Sequence, residues 1–387
     1  MRSDDSQSPA VMRARKRSHL ELCGTEAVEY AVKTTLFEDV DLLHNAVPEL
    51  ALDGIDTGVA VLGKRLRAPL VITGMTGGTA EALAVNRDLA ALAERCGIAF
   101  GVGSQRVMQR DARAASTFAV RECAPTVLLF ANLGLTQAAR QSSASVRRLI
   151  EAIGADAVCL HLNPAQELIQ PEGDRDFRGA LPALKRLCAE LPVPVIVKET
   201  GCGISRLVAL QLHAAGVRYL DVSGAGGTSW VRVESLRGDE HSRVLAGALA
   251  DWGIPTAASL AMANGIGVAL IASGGIRDGV EVAKAIALGA RLCGAALPIY
   301  RAYRAGGVAA AKAFIDELVA TLAATMLLVG ARTVAELAAQ PVVLGDRVRA
   351  WVAAGAAQEA RWRARDEQAR PAATPRRDPR PRRGLAR

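Results

Sequence analysis

A closed α/β barrel, eight parallel strands alternating with eight helices, is the fold class this sequence predicts, on three observations. Eight short apolar or β-branched runs, all but the last ending at or beside Gly, Ser or Asn, recur along the chain: Pro69–Met75, Gly97–Ser104, Thr126–Asn132, Ala155–Asn163, Pro194–Gly201, Tyr219–Gly226, Gly267–Gly275 and Leu292–Pro298. Between them lie Ala-, Leu- and Arg-rich stretches with helical spacing, for example Asn86, Leu89, Leu92, Ala93, Cys96 and Val282, Ala285, Ile286, Gly289. Each run is apolar without interruption, as a strand covered on both faces must be. A doubly wound open sheet is the alternative with the same pattern.

The 387 residues could hold two average domains, but one such barrel takes ~250 residues and carries insertions. Half the residues are apolar and only 4% are aromatic, which suits close helix-on-sheet packing through small side chains. We therefore expect a disordered N-terminus over 1–12, one barrel domain over 13–357 and a disordered Arg/Pro-rich tail over 358–387. The basic run Arg13–His19 precedes the first strand, and its bland reading is a solvated arm. After the eighth strand, Val308–Val329 has the spacing of an amphipathic helix, and Thr333–Glu336 offers a capping box for another. These are a C-terminal helical extension and not a second domain.

The net charge of +8 is concentrated at one end: ten Arg against Asp366, Glu367 and Asp378 give residues 361–387 a charge of +7. The body is nearly neutral, and no aromatic residue after Trp362 is available to stack bases, so no nucleic-acid partner is expected. Seven cysteines lack any C-x-x-C pair, a usage that suits a reducing cytoplasm. No apolar leader follows Met1. The uncharged stretch 252–276 is long enough to cross a bilayer, but Pro255, Asn264 and its glycines break it into a buried helix, a turn and a buried strand. No membrane partner is expected.

Polar groups gather behind the strands. Directly after Ala155–Leu160 come His161, Asn163, Gln166 and Glu167, then Gln170, Glu172, Asp174 and Arg175, more hydrogen-bonding groups than a core position can use. In parallel α/β folds the carboxyl ends of strands carry the chemistry. The same ends deliver Met75, Thr76 and Gly77; Ser104, Gln105 and Arg106; Asn132; Lys198 and Glu199; Ser223 to Thr228; Gly274 and Gly275; and Ala295 and Ala296. Small residues after the seventh and eighth strands allow backbone N–H groups to approach a phosphate. Lys198, within an apolar run, requires an anion nearby: the Glu199 carboxylate or an electron-rich cofactor. Asn163, Gln166 and Glu167 have the hardness of a magnesium site, and Arg15, Lys16 and Arg106 that of a receptor for a substrate-borne diphosphate.

These motifs together resemble the type 2, flavin-dependent isopentenyl-diphosphate isomerases. The resemblance is carried by Arg15-Lys16 with His19, Met75–Gly78, Gly103–Arg106, Ala131–Gly134, His161–Asn163 with Gln166-Glu167, Gln170–Gly173, Val197–Glu199 with Gly201–Gly203, Asp221–Gly224 with Gly227–Trp230, and Ala272–Arg277. It runs from about Arg15 to about Val352 and implies a TIM (β/α)8 barrel. It implies FMN bound by Met75, Thr76, Gly77, Ser104, Asn132, Lys198, Ser223, Thr228, Gly274, Gly275, Ile276, Ala295 and Ala296. A diphosphate substrate would meet Arg15, Lys16, Ser104, Gln105, Arg106, His161, Asn163 and Gln166, with Glu167 as the magnesium ligand and Gln166, Lys198 and His161 as catalytic groups. NADPH as the source of reduced FMN and symmetric homo-oligomers of four or eight chains follow from the same resemblance. The implied reaction interconverts isopentenyl and dimethylallyl diphosphate by a 1,3-allylic proton shift, for isoprenoid biosynthesis. An FMN-dependent 2-hydroxy-acid oxidoreductase is the nearest alternative; it needs a His and Arg pair near the seventh strand, and 252–276 holds neither.

Overall fold

The computed structural model describes residues 9–109 and 111–369. The eight runs form eight parallel strands: β1 (Leu70–Ile72), β2 (Ala99–Gly101), β3 (Leu129–Gly134), β4 (Ala157–His161), β5 (Val195–Lys198), β6 (Tyr219–Asp221), β7 (Ala269–Ser273) and β8 (Ala290–Ala295). Each pairs with the next in sequence, and β8 pairs with β1 to close the ring. The register sets Gly134 beside His161, His161 beside Lys198, and Lys198 beside Asp221, so one level of the rim carries all of them.

Alternate strand residues point into the lumen or out to the helices, and both sets are apolar. Val71, Ala99, Phe130, Cys159, Ile196 and Ile271 fill the lumen, joined by Val61 and Leu66 of an antiparallel hairpin that pairs Val59–Val61 with Lys64–Leu66. Ile72, Phe100, Leu129, Leu133, Leu160 and Val197 pack outward with the helices. This double burial is the physical cause of the unbroken apolar runs.

The helix Ala80–Cys96 illustrates the connections. Thr79 Oγ1 accepts the Ala82 N–H at 3.1 Å to cap its start, and Gly97 at φ 66° ends it in the left-handed region. Leu89 and Leu92 are fully buried, and truncating either to Ala would cost about 2–5 kcal/mol. Over 252–276 lie a buried helix, Thr256–Ala263, and β7, as expected. Among the described residues no helix is long and apolar enough to cross a membrane.

Three expectations change. The bland reading of the basic run does not hold: α1 (Pro9–Thr25) packs on the barrel and half-buries Arg15 and Lys16, because the same face carries His19, Leu20 and Cys23. Four residues of the expected 1–12 disorder are therefore helical, and the rest lie outside the described residues. The helix expected at Val308–Val329 runs from Leu297 to Leu328, kinked at Gly306 and Gly307, which is why its spacing restarts at Val308. The C-terminal helix Asp346–Ala369 continues twelve residues into the segment 358–387. Helix-forming Ala, Gln, Glu and Arg fill 358–369, no proline occurs before Pro371, and Glu359 pairs with Arg206 at 2.5 Å. The remainder of that tail, from 370, lies outside the described residues. At Thr333 the N-cap half of the expected box forms, its Oγ1 accepting the Glu336 N–H at 3.2 Å, while Glu336 Oε2 reaches one residue further back and accepts the Arg332 N–H at 2.7 Å.

Candidate active site

One large cavity, about 1400 Å³ including its open mouth, lies at the carboxyl ends of the strands under α1. Seventeen of the expected site residues line it: Arg15, Lys16, Met75, Ser104, Arg106 and Asn132; His161, Asn163, Gln166, Glu167, Lys198 and Ser223; and Thr228, Gly274, Gly275, Ala295 and Ala296.

The wall after β4 is a hydrogen-bonded chain. His161 Nδ1 meets Asn132 Oδ1 at 2.8 Å, which assigns the ring proton to Nδ1. Burial, and then the charges of Lys198, Lys16, Arg106 and Arg15, push the imidazole down to about 3, so the ring is neutral. Pro164 starts the short helix α2 (Pro164–Ile169), which turns Gln166 and Glu167 toward Asn163. Asn163 Nδ2 donates to Gln166 Oε1 at 3.2 Å and to Glu167 Oε1 at 3.1 Å, while Glu167 Oε2 accepts the Asp174 N–H at 2.7 Å. Gln166 Nε2 donates to Glu234 Oε1 at 3.1 Å.

Glu234, on α3 (Trp230–Arg237), is fully buried. The same Oε1 accepts from His19 Nε2 at 2.9 Å, and Arg237 reaches Oε2. Burial opposes the charge of Glu234, but the bond from His19 and the Arg237 guanidinium outweigh it and hold the carboxyl down at about 2. Burial pulls His19 below the usual imidazole range against the pull of Glu234, and its ring stands edge-on to Trp230 with centroids 5.0 Å apart.

Across from this wall stand three cations. Arg15 approaches Glu172 at 3.7 Å; Lys16 has no acidic partner among the described residues. Burial, with Arg15 and Arg106 adding repulsion, lowers Lys16 to about 7. Such a cluster is complementary to a multiply charged anion.

At the floor, Lys198 Nζ donates to the Glu199 carbonyl at 2.6 Å and lies 3.9 Å from Asp221 Oδ2. Asp221, not Glu199, is thus its carboxylate partner. Glu199 is turned away because Oε2 takes the Thr200 and Cys202 N–H groups at 2.6 and 2.5 Å. On the far rim Gly274 and Gly275 adopt φ 96° and 88°, and a Cβ on Gly227 would come within 2.3 Å of the Gly275 nitrogen, so backbone packs on backbone there. The helix that begins at Leu297 has no side-chain cap; Pro298 has no N–H and the Tyr300 N–H bonds the Ala296 carbonyl, so the Leu297 and Ile299 N–H groups are those a phosphate would meet.

Four expected residues do not reach the cavity. Gln105 is 1% exposed; its Nε2 donates to the Leu149 carbonyl at 2.9 Å and its Oε1 accepts the Asn132 N–H at 3.0 Å, so it braces Asn132 from behind. Thr76 is equally buried, its carbonyl bonded to Gly103 N–H and Asn86 Nδ2 and its hydroxyl unpartnered. Gly77 lies under Phe118, where a Cβ would strike the ring at 1.9 Å. Ile276 is a core residue, 1% exposed. Conversely, His19, Gln170, Trp230, Arg277 and Tyr300 line the cavity without having been assigned a role, and Glu234 stands behind it. His19 was accessible to reasoning, since it follows Arg15 and Lys16 by one helical turn; Glu234 had no local signal.

The residues fit a flavin phosphate at the glycine rim and the uncapped helix start, and a ring edge at Lys198. Magnesium fits less fully: among the described residues no three His, Cys, Asp or Glu side chains converge, so a magnesium ion at Glu167 would need phosphate and water to complete its shell.

Fold and site together define a TIM-barrel enzyme of the flavin-binding class. A family model described as FMN-dependent dehydrogenase matches residues 163–344. The isopentenyl-diphosphate delta-isomerase of Synechococcus sp. is 52% identical over 288 residues, 73% of this chain and 83% of that protein. That of Pyrococcus abyssi is 44% identical over 348 residues, 87% and 94% of the respective chains. The chain belongs to the isopentenyl-diphosphate delta-isomerase family. A mandelate oxidase solved with 3,3-difluoro-2-hydroxy-3-phenylpropionic acid superposes with a TM-score of 0.58 at 18% identity, covering 87% of this chain and 99% of that one. That likeness is one of fold, and the hydroxy-acid oxidase alternative goes no further.

Proposed function

We propose that this chain interconverts isopentenyl diphosphate and dimethylallyl diphosphate, with FMN at the floor of the cavity, magnesium at Glu167 and NADPH as reductant. The observation that carries the reading is that one cavity holds two separate anion receptors, the Arg15, Lys16, Arg106 cluster and the glycine-rich rim beside the helix start at Leu297. One suits a substrate diphosphate and the other a cofactor phosphate. The bound cofactor, once reduced, supplies an acid–base group and an electron-rich face that stabilises positive charge developing on the allylic carbons.

The protein's own groups orient and neutralise. Met75, Ser104, Asn132, Ser223, Thr228, Gly274, Gly275, Ala295 and Ala296 hold the cofactor, and Lys198 places a cation at its edge. Arg15, Lys16, Ser104 and Arg106 bind the diphosphate, with neutral His161 as a hydrogen-bonding partner. Gln166 is locked by Asn163 on its oxygen and Glu234 on its nitrogen, so its amide presents one fixed face to the reacting carbons. The free thiols support a reducing cytoplasm, and a homo-oligomer of four or eight chains completes the proposal.

The test is direct. Purified protein reconstituted with FMN and magnesium is incubated with isopentenyl diphosphate, with and without NADPH or dithionite. Dimethylallyl diphosphate should form only after reduction. A chain that takes up no FMN, or turns over without it, removes the proposal.

A further inference from the structure

Asp221 sits at the end of β6, 3% exposed, and does not line the main cavity. It opens instead onto a narrow hollow beneath, among apolar side chains, and Lys198 lines both spaces. A carboxylate buried there is costly unless fully partnered. Oδ1 accepts the Ser273 hydroxyl at 2.7 Å and the Ser223 N–H at 3.1 Å; Oδ2 faces the Lys198 ammonium at 3.9 Å. Three neighbouring strands make this possible: β5 and β6 set Lys198 beside Asp221, and β7 carries Ser273 two residues beyond Ile271, which pairs with Asp221.

Ser223 adds an independent sign of design. It is a non-glycine residue at φ 36°, a conformation costing about 1–3 kcal/mol that persists only when its surroundings enforce it. The Asp221 carboxylate is one of the groups enforcing it, through the Ser223 N–H.

We propose that Asp221 is a positioning residue that holds the Lys198 ammonium in place at the cavity floor, and the Ser223 amide beside it, so that a fixed cation meets the electron-rich edge of bound FMN. This rests on the reading of the cavity as the FMN site. Asp221 reaches neither substrate nor cofactor and acts through Lys198. Without the carboxylate, Lys198 keeps only the Glu199 carbonyl as a partner, and its ammonium is free to leave the cavity floor.

The test follows the absorbance of dithionite-reduced holoenzyme against pH, which reads the ionisation of the reduced flavin. Asp221→Asn should raise that midpoint by about one pH unit, and should add nothing in a Lys198→Met background. An unchanged midpoint overturns the proposal, and so does an equal rise without Lys198. Should Asp221→Asn retain no flavin, Ser273→Ala withdraws one donor from Asp221 and should give a smaller rise of the same sign; no rise overturns the proposal. Wild-type protein that binds no FMN overturns the underlying reading instead.

Discussion

His19 and Gln166, separated by most of the first half of the barrel, donate to the same oxygen: Glu234 Oε1 lies 2.9 Å from His19 Nε2 and 3.1 Å from Gln166 Nε2. The N-terminal helix is thereby tied to the cavity wall after β4. Glu234→Gln should keep the fold and FMN but offer a donor where both neighbours need an acceptor. Turnover should fall at least about tenfold, equivalent to about 1.4 kcal/mol, with little change in FMN affinity. Steady-state kinetics beside a flavin titration decide it, and equal kcat for the two proteins would free Gln166 from this control.

Lys16 gives a pH dependence. Its folded-state pKa, near 7, is below the unfolded value of 10.5, so the folded chain binds fewer protons between those limits and stability rises with pH across that window through this group. Binding runs the other way: the ammonium is lost as pH climbs through about 7, so KM for the diphosphate should rise above neutrality. Lys16→Met should flatten that rise. A profile identical to wild type would show that Lys16 does not meet the diphosphate.

Replacing Arg15 and Lys16 together by Ala should raise KM for isopentenyl diphosphate by about ten- to a hundredfold, as two charge-assisted contacts are lost. The initial-rate dependence on substrate measures this, and an unaltered KM returns α1 to a purely structural role.

Glu167→Gln keeps the side-chain volume but removes the hard anionic oxygens proposed for magnesium. Magnesium-stimulated turnover should drop by about two orders of magnitude while the flavin spectrum is unchanged. Activity that responds to magnesium as before would exclude Glu167 as its ligand.

Truncation separates the two parts of the C-terminal segment. Ending the chain after Ala369 should leave activity and Tm unaltered and abolish any salt-sensitive binding to a polyanion such as heparin. Ending it after Ala357 also removes the Glu359 pair with Arg206 and Arg363, a solvent-screened contact of about 1 kcal/mol or less, and should lower Tm by a few degrees. Melting curves of both truncations show whether residues 358–369 brace the barrel.

Much of this molecule is legible in its amino acids because burial is a local property. A strand covered on both faces must be apolar at every position, so eight such runs announce eight barrel strands, and the polar residues that follow each run land at one rim. The identity of a side chain's partner is not local. That Lys198 meets Asp221 and not adjacent Glu199 depends on the strand register and on backbone N–H groups that claim Glu199 first. Gln105 turned inward because the Leu149 carbonyl and the Asn132 N–H both required it. Arg15 and Lys16 became cavity walls only when α1 settled on the closed ring; Glu234 met Gln166 through closure of the ring and His19 through that docking. Periodicity in the chain reports which residues leave water; closure of the ring selects what they then touch.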